Sequence, residues 1–213
     1  MTDHISRSVS KCFAALRQVR NVSRSLPMRV MSSLVTELVL SRLDCGNASL
    51  AGLPTCQLNR LQSVLHAAAP LVCGARNYDY VTPLLQELQW LSVPDRITFK
   101  LATLVFPCMH GLAQAYLAET LNRAADVDSR RRLRSGSTAL LVPMTRRRSP
   151  GNRAFPVAAA QVWNRLPTTL TSQSSLLPFR QQLNKFLIEQ SYSWHPCYIA
   201  LDTTFYDLTF LTL

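Results

Sequence analysis

The sequence predicts a mainly α protein, an irregular helical array with one short β-like stretch or hairpin near residues 137–143. Apolar residues recur at three- and four-residue steps through most of the chain, and Pro and Gly punctuate those runs. The one strand-like stretch is Thr138-Ala139-Leu140-Leu141-Val142-Pro143. A length of 213 residues suffices for one domain, or one and a half, with a real hydrophobic core. An apolar share of 47% beside 16% charged residues belongs to a globular chain and not to a disordered one.

From Thr2 to about Val22, the residues Ile5, Val9, Cys12, Phe13, Leu16 and Val19 mark one face of a helix, with Arg7, Lys11, Arg17 and Arg20 largely off it. Ser25-Leu26-Pro27 ends that helix, and Pro27 suits the start of the next, where a missing N–H costs no hydrogen bond. Val30, Met31, Leu34, Val35, Leu38 and Val39 then form a wider stripe as far as about Leu43. Asp44-Cys45-Gly46-Asn47 is a turn, and Gly52-Leu53-Pro54-Thr55 a second break with Thr55 as candidate N-cap. Leu58, Leu61, Val64, Leu65, Ala68 and Leu71 predict a third helix ending at Gly74. Pro70 lies in its last turns, where a lost hydrogen bond and a ring clash cost about 3 kcal/mol, so a kink or an early end is expected.

After a polar connector, residues 81–88 predict a short helix followed by Gln89-Trp90-Leu91. Ser92 and Pro94 open the next helix, with Ile97, Leu101, Leu104 and Val105 inward; Pro107 is expected to end it early and Gly111 to close the segment. A shorter helix over about 113–121 should turn Tyr116 and Leu117 inward. Beyond the basic region, Phe155 opens a helix carrying Val162 and Trp163 that Pro167 stops, residues 168–175 form a polar linker, and Pro178 starts a helix with Phe179, Leu183, Phe186 and Leu187 on one side. Periodicity is lost from Ser191. The expected organisation is a helical domain over 1–122, a basic Arg-rich linker or loop region over 123–153, a C-terminal helical segment over 154–190 packing on the body, and an irregular tail over 191–213.

The charge is concentrated. Of 23 basic residues against 12 acidic, a net +11, 20 are Arg, whose planar donor fork suits phosphate; Arg-rich codon usage is the plain alternative. Residues 129–153 hold eight Arg and no acid, +8 of the +11. Arg130, Arg131, Arg132, Arg134, Arg146, Arg147, Arg148 and Arg153 are the candidate nucleic-acid-binding residues. Adjacent unpaired guanidinium groups are too costly to bury, so they face water or an anion. Such contacts position a backbone and do not read its sequence. A merely solvated loop is the alternative.

Six Cys without any CxxC pair argue against a zinc ribbon and suggest free thiols in a reducing compartment. No signal peptide is read at Met1-Thr2-Asp3-His4, and the apolar runs fall well short of the roughly 18 residues of a membrane span. The expectation is an intracellular protein, nuclear or cytoplasmic, with no membrane partner, no cofactor and no metal. Asp44 with Asp95, and Asp126 with Asp128, are the metal-carboxylate candidates, and Asp126-Val127-Asp128 beside Arg130 reads better as surface charge pairing. Cys108 with His110, and His66 with Cys73, are the nucleophile candidates. No orienting or oxyanion-hole group accompanies them, so no catalytic residue is assigned. Trp90 and Trp163 are candidates for base stacking, but their apolar flanks favour the core.

Taken in order, several motifs carry a resemblance. They are Ser41-Arg42-Leu43-Asp44, Gly52-Leu53-Pro54, Ala67-Ala68-Ala69 within the third helix, Leu88-Gln89-Trp90-Leu91, His110-Gly111-Leu112, Asn152-Arg153-Ala154-Phe155 and Val162-Trp163-Asn164-Arg165-Leu166-Pro167. The chain, over roughly residues 3–192, resembles the C-terminal thumb and post-palm region of the reverse transcriptase polyprotein of animal non-LTR (LINE) retrotransposons. The resemblance implies a thumb-like helical domain over 1–122, an RNA or DNA backbone bound without sequence specificity as template or primer, and a palm supplied from elsewhere. RNA-directed DNA polymerase activity would belong to the parent polyprotein. It needs palm carboxylates, usually Tyr-x-Asp-Asp, to hold two metal ions, and this chain has no Asp-Asp pair. Cys45-Gly46-Asn47 stands where the family often has Tyr-Cys-Asn, Gly151-Asn152-Arg153 replaces Gly-Asp-Arg, and Pro70 and Pro107 depart from the pattern. The alternative function is an inert or structural relic, a translated pseudogene, which should leave apolar surface exposed on the first two helices.

Overall fold

Thr2–Val22 forms a single helix, α1, with Ile5, Cys12, Ala15, Leu16 and Val19 buried along one side and Arg7, Lys11, Arg17 and Arg20 in water. The computed structural model describes residues 2–75, 79–122, 140–144 and 154–192. Among them helices dominate and no strand occurs. Of the β-like stretch expected near 137–143, the described part begins at Leu140, an isolated bridge position followed by irregular backbone.

A short 3-10 turn, Ser23–Ser25, and an extended Pro27 lead into α2 (Met28–Val35), a wider π turn (Thr36–Leu40) and α3 (Ser41–Asp44). A straight α-helix would continue the buried stripe of Met31 and Val35 to Leu38 and Arg42. The π turn adds a residue to the cycle and rotates the residues beyond it. Val39, Leu40 and Leu43 are therefore buried, and Arg42 emerges into water. The apolar stripe expected to be continuous is thus two stripes out of phase, and Val30, expected inside, is exposed. The Thr36 hydroxyl donates to the Ser32 carbonyl at 2.8 Å and that of Ser41 to the Glu37 carbonyl, bonds that loosen a helix locally.

α4 (Thr55–Cys73), α5 (Val81–Glu87) and α6 (Val93–Met109) share one way of ending. In each, a residue with positive φ turns the chain, namely Gly74 (64°), Gln89 (55°) and Gly111 (69°). The next N–H then donates to the carbonyl five residues back: Ala75 to Pro70, Trp90 to Leu85 and Leu112 to Pro107, each at 2.9 Å. The early end expected at Pro70 and at Pro107 does not occur, since α4 runs on to Cys73 and α6 to Met109. Each proline lies four residues before the terminal glycine, so its missing N–H removes one bond from the last turn while its carbonyl closes the end. Thr55, expected as an N-cap, is the first helical residue after an extended Pro54, whose carbonyl accepts from Gln57 at 2.9 Å. The expected helix over 113–121 is one turn, α7 (Ala115–Ala118), too short to form a buried face, and Tyr116 is 68% exposed. Later elements are α8 (Phe155–Arg165), α9 (Thr168–Thr171) and α10 (Leu176–Tyr192). α9 lies in the stretch expected to be linker, because Leu170 is buried. α10 runs two residues past 190 and buries Tyr192.

The chain divides into two compact units, one of residues up to Gly46, Pro54–Arg96 and the chain from Leu187, the other of Asn47–Leu53 and Ile97–Phe186. In the first, α1 packs on α4 and on α2, and α4 packs on α5. Its buried ion pair joins Arg96, 8% exposed, to Asp44 by two bonds: Nε to Oδ1 at 2.8 Å and Nη2 to Oδ2 at 2.5 Å. In the same unit the Tyr192 hydroxyl donates to the Trp90 carbonyl at 2.8 Å, and the Ser191 and Ser92 hydroxyls donate to Asp95. The second unit is built on an aromatic row. Phe179 stacks on Phe106 at 4.5 Å between ring centroids and lies 6.0 Å from Trp163, and Phe106 stacks on His110 at 4.0 Å. Offset and tilted rings of this kind add about 0.5–1.5 kcal/mol per pair beyond burial.

Candidate functional site

Arg130, Arg131, Arg132, Arg134, Arg146, Arg147, Arg148 and Arg153 all lie outside the described residues. Within the second unit, the structure describes the points at which the Arg-rich segment joins the helical body: Asn122 before it, residues 140–144 in its middle and Ala154 after it.

The middle point is the best defined. Leu140 is 3% exposed, and its backbone needs partners because an unpaired buried amide or carbonyl costs about 1–3 kcal/mol. Asn164, in the last turn of α8, supplies both. The Leu140 N–H donates to Asn164 Oδ1 at 2.8 Å, and Asn164 Nδ2 donates to the Leu140 carbonyl at 2.8 Å. The Leu141 N–H donates to the Asn122 carbonyl at 2.8 Å, so the residue just before the Arg-rich segment is tied to its middle.

α8 can hold this position because its other face is core. Val157, Ala158, Ala159, Ala160 and Trp163 are buried, and the small side chains leave room for close packing. Trp163 therefore fixes the helix through the Phe179 ring, and Asn164, next in sequence, projects outward to the chain it clamps. Phe155 and Val162 are half-buried and contribute less.

In sequence, Arg134 and Arg146 each stand six residues from Leu140. The two Arg groups thus flank one fixed residue in sequence. Sequence reasoning passes over Asn164 as a site residue. Its only signal is a poor helix former on an otherwise Ala-rich helix, where its amide gains more by bonding a foreign backbone than it costs locally.

No known protein family, curated protein or solved structure matches this chain.

The other candidates from sequence do not assemble. Cys108 Sγ donates to the Leu104 carbonyl at 3.2 Å and His110 Nδ1 bonds the Phe106 carbonyl at 2.9 Å, so each is engaged by its own helix and not by the other. Burial pushes the Cys108 thiol pKa up. His66 Nε2 meets the Gln62 amide at 3.0 Å, while Cys73 is pushed up to about 11 by burial and by Glu87, so this thiol stays protonated at neutral pH. Asp44 is held by Arg96, and Asp95 by the hydroxyls of Ser92 and Ser191. No cluster of His, Cys, Asp or Glu fit for a metal occurs among the described residues, and Asp126 and Asp128 lie outside them. Trp90 and Trp163 are buried and offer no open ring face for a base to stack on. No described helix is long and apolar enough to cross a membrane.

Proposed function

We propose that this chain is a nucleic-acid backbone-binding module, derived from the thumb and post-palm region of a retrotransposon reverse transcriptase and lacking the catalytic palm. The reading is carried by eight Arg without one acid in residues 129–153, set to either side of a backbone point clamped by Asn164. The guanidinium groups would give affinity through phosphate contact. The partner is an RNA or DNA backbone bound without sequence preference in an intracellular setting, and the palm is the protein partner.

The test is binding of the whole chain to labelled RNA and to a primer-template duplex across a salt series. Counterion release predicts log K falling linearly with log salt, by about 0.9 per phosphate contact on B-form DNA. Replacing Arg146, Arg147 and Arg148 by Gln should weaken binding and flatten that slope. Absence of binding at low salt, or a triple variant indistinguishable from the parent, would reject the reading.

The second reading, an inert structural relic, is favoured by one observation. Val22, Met28 and Val30 are 46%, 52% and 42% exposed around the start of α2, beside a shallow hollow lined by Arg29, Val30, Ser33, Leu34 and Glu37. Exposed apolar side chains of this kind are what a lost neighbour would leave. A sharp, cooperative melt of the isolated chain counts against that reading, and a broad one supports it.

A further inference from the structure

The first unit carries a second concentration of positive charge, on residues that are described. Along α1 the exposed positions are Thr2, Asp3, His4, Arg7, Ser10, Lys11, Arg17, Gln18, Arg20, Asn21 and Val22. Before Val22, at the helix end, all are polar or charged. Four are permanent cations, and the single acid, Asp3, sits in the first turn. No carboxylate among the described residues pairs with Arg7, Lys11, Arg17 or Arg20.

A second element, α3, adds to this face. Arg42, turned outward by the π turn, donates Nη1 to the Lys11 carbonyl at 3.4 Å. Its guanidinium group therefore lies against the backbone of α1 at Lys11, one helical turn along from Arg7. Like charges held together raise the free energy of the unbound protein, and a polyanion relieves that repulsion. Ser10 and Gln18 place neutral donors between the cations and Asn21 places one beside Arg20, and such groups supply much of the phosphate contact in backbone recognition.

We propose that the outer face of α1, with Arg42, is a second binding surface for the phosphate backbone of a nucleic-acid duplex. The proposal rests on the reading that the chain binds nucleic acid, and it adds a surface separate from the Arg-rich segment. From Arg7 to Arg20 is about 20 Å at 1.5 Å per residue, which spans about six phosphates on one strand at 3.4 Å of axis each. The cations can therefore meet successive phosphates along one strand. An anionic membrane is the weaker fit, because an interfacial helix inserts an apolar face, and the apolar face of α1 is already buried in the unit.

The experiment compares three forms of the whole chain on labelled RNA and DNA duplexes of about 20 base pairs, each titrated with salt. They are the parent, the combined variant Arg7→Gln, Lys11→Gln, Arg17→Gln, Arg20→Gln, and the loop variant Arg146→Gln, Arg147→Gln, Arg148→Gln. The α1 variant is expected to bind more weakly, with a slope on DNA shallower by about 0.9 for each phosphate it no longer neutralises. As a control, a fourth form with Arg7→Lys, Arg17→Lys and Arg20→Lys should retain most of the affinity. On the parent protein, bound duplex should slow acetylation of Lys11 several-fold, a readout that needs no variant.

An α1 variant equal to the parent, with Lys11 unprotected, overturns the proposal. If only the loop variant weakens binding, the proposal fails and the Arg-rich reading stands. If only the α1 variant does, the proposal stands and that reading fails. No duplex binding by the parent, or α1-dependent binding only to phosphatidylserine vesicles, overturns it as well.

Discussion

The side chain of Asn164 and the backbone of Leu140 exchange two hydrogen bonds of 2.8 Å, as neighbouring strands do, although Asn164 belongs to a helix. One amide thereby satisfies both polar groups of a buried residue. Asn164→Ala should lower stability by about 2 kcal/mol, because the Leu140 N–H and carbonyl must then stay unpaired or move to water. Hydrogen exchange at Leu140 and the rate of proteolysis within residues 123–153 should both rise. Asn164→Asp, which keeps the acceptor and loses the donor, should also destabilise. Unchanged exchange at Leu140 in the Ala variant would show that the clamp contributes nothing.

The Arg96–Asp44 pair is a second long-range lock, 52 residues apart in sequence. Asp44→Leu or Arg96→Met, each leaving a largely buried partner without its counter-charge, should cost about 3 kcal/mol, whereas the double change Asp44→Leu, Arg96→Met should recover a good part of that. Urea unfolding of all four forms gives the coupling energy directly. Additive single losses would mean that the pair has no interaction of its own.

Helix α5 ends on a non-glycine residue at positive φ. Gln89 at φ 55° carries a backbone cost of about 1 kcal/mol that glycine avoids, so Gln89→Gly should stabilise by about 0.5–1 kcal/mol. Gly74→Ala and Gly111→Ala test the same physics in reverse. An added Cβ meets nothing within 4 Å at either site, so the loss should be limited to the backbone term of about 1–2 kcal/mol. A larger loss would indicate a packing role that the geometry does not contain. Thermal melts resolve these differences.

Stability should fall towards both acid and alkaline pH through two identifiable groups. Gln62 Oε1 accepts from the Val93 N–H at 2.9 Å, so its Nε2 donates to His66 Nε2, which must then be unprotonated. Burial lowers the His66 pKa from 6.5. Above pH 6.5 both folded and unfolded states are neutral there. As pH falls below it the unfolded chain takes the proton first, and stability declines until the folded pKa is passed. Tyr192 behaves oppositely, pushed up from 10 to about 12 by burial and by Asp95, with Arg96 opposing. The unfolded chain loses this proton near pH 10 while the folded state keeps it, so stability declines from pH 10 to about 12. His66→Leu should flatten the acid limb and Tyr192→Phe the alkaline one, relative to the parent, in denaturant titrations at each pH. A variant with the parent's slope would remove that residue from the account.

Local patterns are legible in the sequence wherever one face of one helix decides them. Ile5, Cys12, Leu16 and Val19 on α1, Phe179, Leu183 and Leu187 on α10, and the end of α4 at Gly74 are where periodicity and glycine place them, because water and backbone sterics act on those residues directly. Pro70 and Pro107 mislead because each forfeits one hydrogen bond in a helix that tertiary packing holds, while its own carbonyl accepts from Ala75 or Leu112 at the helix end. The phase shift at Thr36–Leu40 is hidden because apolar residues occupy both candidate stripes, and only the packing of the unit selects between them.

The sequence by itself determined that the protein is mainly helical and that its excess charge is gathered in residues 129–153, since both follow from residue type and spacing along the chain. Tertiary structure alone decided that Asn164 clamps Leu140, that Arg96 neutralises Asp44 and that Arg42 comes to rest against Lys11. Each joins residues 24, 52 and 31 positions apart respectively. No local propensity encodes such a meeting. It occurs because burying the apolar faces brings those backbones together, and for Leu140 and Arg96 a polar group taken out of water must also find its partner wherever the packing has placed one.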